Sequence, residues 1–217
     1  MTRYCLDLFA GLGGFSSAFE ASDDWEVITV DIDNQFAPDI HADVLDLRPR
    51  DFETDFEAIL ASPPCTAFSL MASGAHLDDD GRPKTNWGAM SLALVHHTVG
   101  LIKGLDPEWW FLENPMGGLR REFGKPDAHV WWCQYGSNRA KPTDFWGRIP
   151  PSFDERRCYN GNDGCEHEKA PRGSLTGTNS GDLTPAERAR IPRGISEAIR
   201  RSVETPRPTA DAMEGDW

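Results

Sequence analysis

The chain of 217 residues is poor in lysine and contains no long apolar run. No stretch approaches the roughly 20 consecutive apolar residues that a membrane-spanning helix needs. The opening MTRYCLDLFAG also lacks the basic and apolar regions of a secretory signal peptide. We therefore expect a soluble cytoplasmic protein without a membrane partner. Since no feature indicates a partner protein either, we expect a monomer.

Cysteines are few and odd in number, which argues against a disulfide framework. A chain of this length can bury one substantial core without covalent staples. The sulfur atoms are therefore expected to be free thiols or metal ligands in a reducing compartment. The five residues are Cys5, Cys65, Cys133, Cys158 and Cys165.

Basic residues are scarce overall, and the formal net charge is -13. Only 5 of the 22 basic residues are lysines, and 21 of the 35 acidic residues are aspartates. This bias is typical of salt-loving organisms, but a general demand for solubility produces it too. Residues 1–60 carry a net charge of -11, whereas residues 118–157 and 172–207 each carry +3. An anionic partner such as DNA would therefore contact the second half of the chain.

Short apolar segments alternate with helical patterns along the first two thirds of the chain. This alternation predicts an α/β fold with a parallel sheet and helices on both faces. The clearest helix covers residues 88–105 and stops just before Pro107. The predicted strands are YCLDLF (4–9), EVITVDI (26–32), EAILA (57–61), WWFLEN (109–114) and HVWWCQY (129–135).

Hydrophobic periodicity weakens after Gly147, and we divide the chain there. Residues 147–182 are rich in Gly, Asn, Asp, Pro and Arg, which predicts a small insert built of loops. The segment LTPAER (183–188) then has the capping box of a helix start, so residues 183–204 should form helices that return to the main domain. The tail, residues 205–217, is predicted to be disordered.

A glycine-rich segment, DLFAGLGGFSSAF (7–19), runs from a predicted strand into a helix. Glycines at this turn let backbone N–H groups approach a ligand at the helix N-terminus. Asp31 and Asp33 end the next strand, where a carboxylate can accept the hydroxyls of a ribose, and Asp43 follows a further strand. The same aspartates could simply cap helices, and the pattern alone does not decide between these interpretations.

The segment SPPCTAFS (62–69) places a cysteine directly after a strand and two prolines. The prolines hold the backbone extended and remove N–H donors, so Cys65 should project from a fixed bend as a nucleophile. Glu113 ends another strand, and a carboxyl after WWFL should be partly desolvated and able to hold a proton. Singly, Cys65 could be a buried apolar residue and Glu113 a helix cap. Their order along the chain favours one crevice at the strand ends.

Four segments together resemble a known family. DLFAGLGGFS, PPCTAFS, ENP and QYGSNRAKP are similar, in order and spacing, to motifs of the cytosine-C5 DNA methyltransferases, in a short form such as viral or haloarchaeal chains have. The resemblance covers roughly residues 3–146. It implies a Rossmann-like fold that binds S-adenosylmethionine (SAM), in which residues 1–146 form the catalytic domain and residues 147–182 the target-recognition insert. It also implies that the target base is flipped out of DNA, as in restriction–modification enzymes.

The resemblance also implies roles for individual residues. Cys65 would attack C6 of cytosine, Glu113 would protonate N3, and Arg139 and Lys141 would be the accompanying basic pair. Residues of the cofactor site would be Asp7, Phe9, Ala10, Gly11, Gly13, Gly14, Asp31, Ile32, Asp43, Val44 and Pro63. Three residues depart from the family: Thr66 stands where glutamine is usual, Pro115 where valine is usual, and Ile32 replaces an aromatic residue. In addition, IPRGISEAI (191–199) stands in place of the final cofactor motif.

Two questions stay open at the level of sequence. Cys158, Cys165 and His167 in CYNGNDGCEHE are suitable zinc ligands for an insert without a core, but a fourth ligand is not evident and free surface thiols are the alternative. A relative that methylates RNA or a modified pyrimidine would carry the same motifs. A non-catalytic module that binds SAM or DNA is a further alternative, against which the intact Cys65 and Glu113 argue.

Overall fold

A seven-stranded sheet forms the centre of the computed structural model, which describes residues 2–69, 73–159, 161–168 and 183–205. The strand order is β3-β2-β1-β4-β5-β7-β6. The strands are β1 (Arg3–Leu8), β2 (Trp25–Asp31), β3 (Ile40–His41), β4 (Ala58–Ala61), β5 (Trp109–Pro115), β6 (Ala128–Trp131) and β7 (Pro142–Arg148). All four residues of β4 are buried, as expected for a central strand that is covered on both faces.

The sheet is parallel from β3 to β5, but β7 runs antiparallel to both of its neighbours, β5 and β6. The expectation of a purely parallel sheet was therefore wrong at this edge. β7 was also missed as a strand, because it begins with a proline and ends next to a glycine, two residues that weaken strand patterns. Its position matters for the site, because it pairs along the whole second half of β5.

Helices cover both faces of the sheet, as predicted. α1 and α6 pack on one face around Phe19, Phe111 and Ile199, while α3 packs on the other around Ile59 and Val95. The helices are α1 (Ser17–Glu20), α2 (Ser73–His76), α3 (Asn86–Leu105), α4 (Leu119–Phe123), α5 (Pro185–Ala189) and α6 (Arg193–Glu204). This two-sided architecture confirms the α/β, Rossmann-like class.

Local start and stop signals are confirmed at two helices and wrong at one predicted strand. The side chains of Thr184 and Glu187 form the expected capping box at the start of α5. The 20-residue helix α3 ends at Leu105 with Asp106 as its C-cap, as the following proline requires. Residues 132–135 form a 3₁₀-helix instead of extending β6, because the chain turns sharply at Gly136, whose φ is +88°.

The crossover from β2 to β3 is unusually short. Residues 32–39 join two parallel strands with only a three-residue 3₁₀-helix, Asn34–Phe36, where a full helix is usual. Val27 and Thr29 on β2 consequently stay partly exposed and line a cleft beside the glycine-rich loop.

The C-terminal helices pack against that loop. The amide of Ala18 donates a hydrogen bond to Ser196 Oγ on α6 at 3.0 Å. A β-carbon at Gly14 would lie 2.6 Å from the carbonyl oxygen of Ile191 and 2.8 Å from its nitrogen. The segment before α6 therefore reaches the loop only because Gly14 has no side chain.

Several predictions on organisation are not decided by the structure. The last part of the insert, residues 169–182, and the tail predicted to be disordered, residues 206–217, lie outside the described residues. No helix in the described ranges is long and apolar enough to cross a membrane.

We predict that Gly14→Ala destabilises the protein by about 1–3 kcal/mol, because the added methyl group meets rigid backbone atoms of Ile191. Denaturant unfolding followed by circular dichroism measures this change. Gly100→Ala is the control: its β-carbon would enter open space on α3, so this variant should be stable or slightly stabilised. Equal stability of the two variants would contradict the close packing at Gly14.

Candidate active site

Three parallel strands bring the predicted site residues to one edge of the sheet. β1 ends in the glycine-rich loop, β4 is followed by Cys65, and β5 carries Glu113 near its end. Because β1, β4 and β5 are neighbours and parallel, these three ends face the same crevice. The structure thus brings together the segments that the sequence separates by about 50 residues.

The bend that carries Cys65 is held by defined hydrogen bonds. The amide of Ser62 still donates to Leu8 O at 3.2 Å, but Pro63 and Pro64 have no N–H with which to continue the ladder. The side chain of Asn114 instead donates to Pro63 O at 3.1 Å, and Asn114 is fully buried. This contact ties the cysteine loop to the strand that carries Glu113.

The thiol of Cys65 and the carboxyl of Glu113 are electrostatically coupled. Burial raises the pKa of Cys65, the charge of Lys141 lowers it, and Glu113 raises it. Burial also raises the pKa of Glu113, again against the opposing effect of Lys141. Oε1 of Glu113 is buried without a hydrogen-bond partner among the described residues. The carboxyl is therefore suited to hold a proton and to meet a polar group of a substrate.

The two basic residues predicted for the site have different surroundings. The charge of Lys141 lowers the pKa of both Cys65 and Glu113, and burial lowers the pKa of Lys141 itself. Its Nζ lies 3.8 Å from the ring centroid of Trp132. Arg139 lies over the same ring at 5.1 Å, but its guanidinium donates to the carbonyls of Glu187 and Arg188. Lys141 therefore faces the thiol, and Arg139 connects the site to α5.

Sequence analysis missed an ion cluster next to the site. Its members are Asp144 on β7, Arg120 on α4 and His129 on β6. Asp144 is completely buried and accepts two hydrogen bonds of 2.6 Å from Arg120 and one of 2.7 Å from His129. Burial alone would raise the pKa of Asp144, but these bonds hold it below its usual value. The cluster is evident only from the pairing of β5 with β7, in which Asn114 lies opposite Asp144. The spacing of these residues along the sequence gives no signal for it.

The glycine-rich loop has the strained backbone of a ligand-binding turn. Gly11 and Gly13 have φ values of +51° and +65°, and Phe9 adopts +65° although it is not a glycine. The amide of Gly11 donates to a carboxylate oxygen of Asp31 at 2.8 Å. Asp31 therefore orients the loop as well as facing the crevice. The amide of Ala10 donates a hydrogen bond to the carbonyl oxygen of Val30, and this contact fixes the loop to β2.

The other residues predicted for the cofactor site, Asp43, Val44 and Ile32, differ in how far they are exposed to solvent. Asp43 caps a 3₁₀-helix by accepting from the amide of Leu45, so the capping alternative holds for one of its oxygens. Val44 is buried in the core, whereas Ile32 is 62% exposed at the end of β2. A cleft of about 570 Å³ lies beside this edge, between residues 10–13 and 35–39. Exposed aliphatic groups next to a carboxylate and glycine amides fit a nucleoside that carries polar groups.

Asp7 lies beneath the loop, completely buried. Neither of its oxygens has a hydrogen-bond partner in the described part of the chain, because the nearby Ser16 hydroxyl donates to Glu20 at 3.0 Å. Burial raises the pKa of Asp7 to about 7. Its carboxyl is thus a neutral or half-ionised group below the cofactor crevice.

A separate cluster of possible metal ligands joins the insert to the sheet. One donor atom each from Cys133, Cys158, Cys165 and His167 lies within 4.8 Å of the others. Three of these residues were predicted as a zinc site, but Cys133 was missed as the fourth. Its position inside the predicted strand 129–135 obscured it, although tetrahedral sites call for four donors.

A glycine-rich loop, a half-buried cysteine and a buried carboxyl lie together at the carboxyl edge of a Rossmann-like sheet, an arrangement that suits a transferase whose cofactor contains a nucleoside. Residues 4–125, more than half of the chain, match the family of C-5 cytosine-specific DNA methylases. The chain belongs to this family.

Three curated relatives agree with this assignment. The "Probable DNA (cytosine-5)-methyltransferase" of Frog virus 3 (isolate Goorha) is 29% identical over 66% of this chain and 70% of its own length. Type II methyltransferase M.DdeI of Desulfomicrobium norvegicum is 31% identical over 52% of this chain, and M.XorII of Xanthomonas oryzae pv. oryzae is 31% identical over 55%. The matches span only 28% and 30% of these two bacterial proteins.

We predict that Asp7→Asn stabilises the protein at about pH 8, by on the order of 3 kcal/mol. The pKa is about 7 in the folded chain against the usual 3.8, so the wild type loses stability as pH rises between these values. The amide cannot ionise, and the difference should vanish near pH 4. Urea unfolding across this pH range measures it.

The exposed Asp23→Asn variant is the control for that measurement, because it removes a surface carboxyl of the same kind. A lower stability of Asp7→Asn at both ends of the pH range would show that the amide does not fit in place of the carboxyl. A lower stability only near pH 8 would show that the buried carboxyl is needed in its ionised form.

Proposed function

We propose that this protein transfers a methyl group from SAM to C5 of cytosine in DNA, through a covalent intermediate at Cys65. The observation that carries the proposal is the meeting of Cys65, Glu113 and Lys141 beside the glycine-rich loop. Membership of the C-5 cytosine-specific family agrees with this chemistry.

The reaction explains why these residue types are combined. The thiolate of Cys65 adds to C6 while Glu113 gives a proton to N3, so that C5 becomes an enamine carbon. SAM would supply the methyl group to C5 and would leave as a neutral thioether. Loss of the C5 proton to water and return of the N3 proton to Glu113 then expel the thiolate and restore the aromatic ring. Each bond made to the enzyme is broken again within one cycle.

The environment of Cys65 favours addition only when substrate is present. Burial keeps the resting thiol protonated, while Lys141 opposes this effect. The raised pKa of Glu113 keeps a proton available for N3. The half-buried Cys65 thiol lies in the crevice at the strand ends, and attack on C6 needs access to the face of the ring. A cytosine offers that face only when it leaves the DNA stack, so we propose that the enzyme flips its target.

SAM would supply the activated methyl group in the crevice at the ends of β1 and β2. The backbone of the loop from Phe9 to Gly13 would border it, Asp31 would receive the ribose, and Asp43 would receive the adenine amine. Ile32 would offer an aliphatic surface to the adenine ring in place of an aromatic one.

A basic cleft near the end of β5 fits the backbone of DNA. This cleft of about 530 Å³ is lined by Arg120, Lys125, His129 and Arg157, among others. Arg157 pairs with Glu155, and neighbouring Arg156 pairs with Asp154, so their charge is partly compensated. The side chain of Lys125 is exposed and can approach a phosphate. Asp127 and Glu155 also line the cleft, but residues 118–157 carry a net charge of +3, so DNA meets more positive charge here than at the strongly acidic N-terminal third.

We predict that Cys65→Ser lowers methylation of cytosine DNA by several orders of magnitude, while SAM still binds. DNA with 5-fluorocytosine at the target has no C5 proton to lose, so the wild type should remain attached to it in a denaturant-resistant complex. Gel electrophoresis with and without SAM measures the complex. A covalent complex in Cys65→Ser protein, or equal trapping of 5-fluorocytosine RNA, would overturn the nucleophile or the DNA assignment.

We predict that Glu113→Gln slows methyl transfer by about 10²–10⁴-fold, because an amide cannot deliver a proton to N3. Single-turnover transfer of a labelled methyl group measures the rate apart from binding. Glu53→Gln, which replaces an exposed glutamate, should be unaffected. A Glu113→Gln variant with the wild-type rate would remove Glu113 from the chemistry.

A further inference from the structure

The four-residue cluster of Cys133, Cys158, Cys165 and His167 combines two parts of the chain. Cys133 lies in the 3₁₀-helix that directly follows β6, so it is attached to the edge of the catalytic sheet. The other three residues belong to the insert, where turns bring them together: the amide of Asn162 donates to Tyr159 O, and that of Cys165 donates to Asn162 O.

The geometry of the cluster suits a tetrahedral metal ion. Two thiolates on one Zn²⁺ at about 2.3 Å lie about 3.8 Å apart. The donor atoms already lie within 4.8 Å of one another, and Cys158 Sγ is 3.8 Å from His167 Nδ1. Closure around an ion would thus need shifts of only about 1 Å. Three sulfur donors and one imidazole form a soft set that selects zinc over magnesium or calcium.

The groups around the sulfur atoms also fit thiolate ligands. Gln134 Nε2 donates to Cys165 Sγ at 3.4 Å, and Asn162 Nδ2 donates to Cys158 Sγ at the same distance. Amide donors of this kind commonly support metal-bound thiolates from outside the coordination sphere.

The insert needs such a support because it has almost no core. Among the described residues from 151 to 168, His167 alone is buried. Phe153, near the start of the insert, packs on Phe111 and Phe145 of the sheet. Beyond it, backbone hydrogen bonds link the insert to the sheet: Trp131 N donates to Arg156 O at 3.1 Å, and Glu168 N donates to Asn138 O at 2.7 Å. A loop with this little apolar contact is the kind of segment that a structural metal stabilises.

We propose that Cys133, Cys158, Cys165 and His167 bind one structural Zn²⁺ that fastens the target-recognition insert to the catalytic sheet. Cys133 directly follows Trp132, whose ring supports Lys141 and Arg139. The ion thereby fixes both the insert and the 3₁₀-helix that carries Trp132, against which Lys141 packs. This second consequence rests on the proposed methyltransferase function, whereas the metal site itself does not.

The site is tested by metal analysis of untagged protein purified without chelators. Wild type should contain about one zinc per chain. Cys133→Ser should lose at least nine tenths of it, and so should Cys158→Ser. Cys65→Ser is the matched control, since it removes a thiol outside the cluster and should keep its zinc. Zinc-free wild type, or a Cys133→Ser variant that retains the wild-type amount, would overturn the site or its fourth ligand.

Two further measurements on the wild type guard against a variant that fails to fold. Cobalt exchanged into the protein should give the intense visible bands of a tetrahedral site with three thiolates. After denaturation in chelator, all five cysteines should react as thiols; a disulfide in the cluster would leave two fewer and would overturn the proposal. Chelation of the folded protein should lower methylation about 10–100-fold, with recovery on adding zinc. Zinc-loaded protein that never methylates cytosine would refute the enzyme function alone.

Discussion

The hydrogen bond from Asn114 to Pro63 O is the contact on which the catalytic geometry depends. Two consecutive prolines end the β4 ladder because they have no N–H to donate, so the chain could leave the sheet in many directions. A buried amide side chain from the adjacent strand selects one of them. The residue before Asn114 is Glu113, and the second residue after Pro63 is Cys65. One side-chain contact therefore sets the distance between the two groups.

Electrostatic coupling follows from this enforced proximity in a poorly hydrated place. Burial acts on Cys65, Glu113 and Lys141 in the same sense, towards the neutral form of each group. Lys141 and the two acids favour one another's charged forms, whereas Glu113 opposes the ionisation of Cys65. The fully paired Asp144 next along the sheet shows the contrast, because its partners keep it ionised at the same depth. Polar partners, more than depth, decide which buried groups are charged.

Sequence reasoning succeeded where the signal was local and failed where it was not. Strand ends, glycine turns and the capping box at Thr184 are set by neighbouring residues, and these features were predicted with the Rossmann-like class. The antiparallel strand β7 and the cluster around Asp144 depend on which strands pair, which no local pattern encodes. Cys133 was missed for the same reason: it lies 25 residues before the next cysteine of its cluster.

The two outermost strands of the sheet have a consequence for solubility. β3 is two residues long and β6 four, so each edge exposes few unpaired backbone groups to another molecule. Two copies could form only a few intermolecular ladder bonds before a turn interrupts them. The short β2–β3 crossover, which opens the cleft beside the glycine-rich loop, thus also ends the sheet in a form that resists edge-to-edge aggregation.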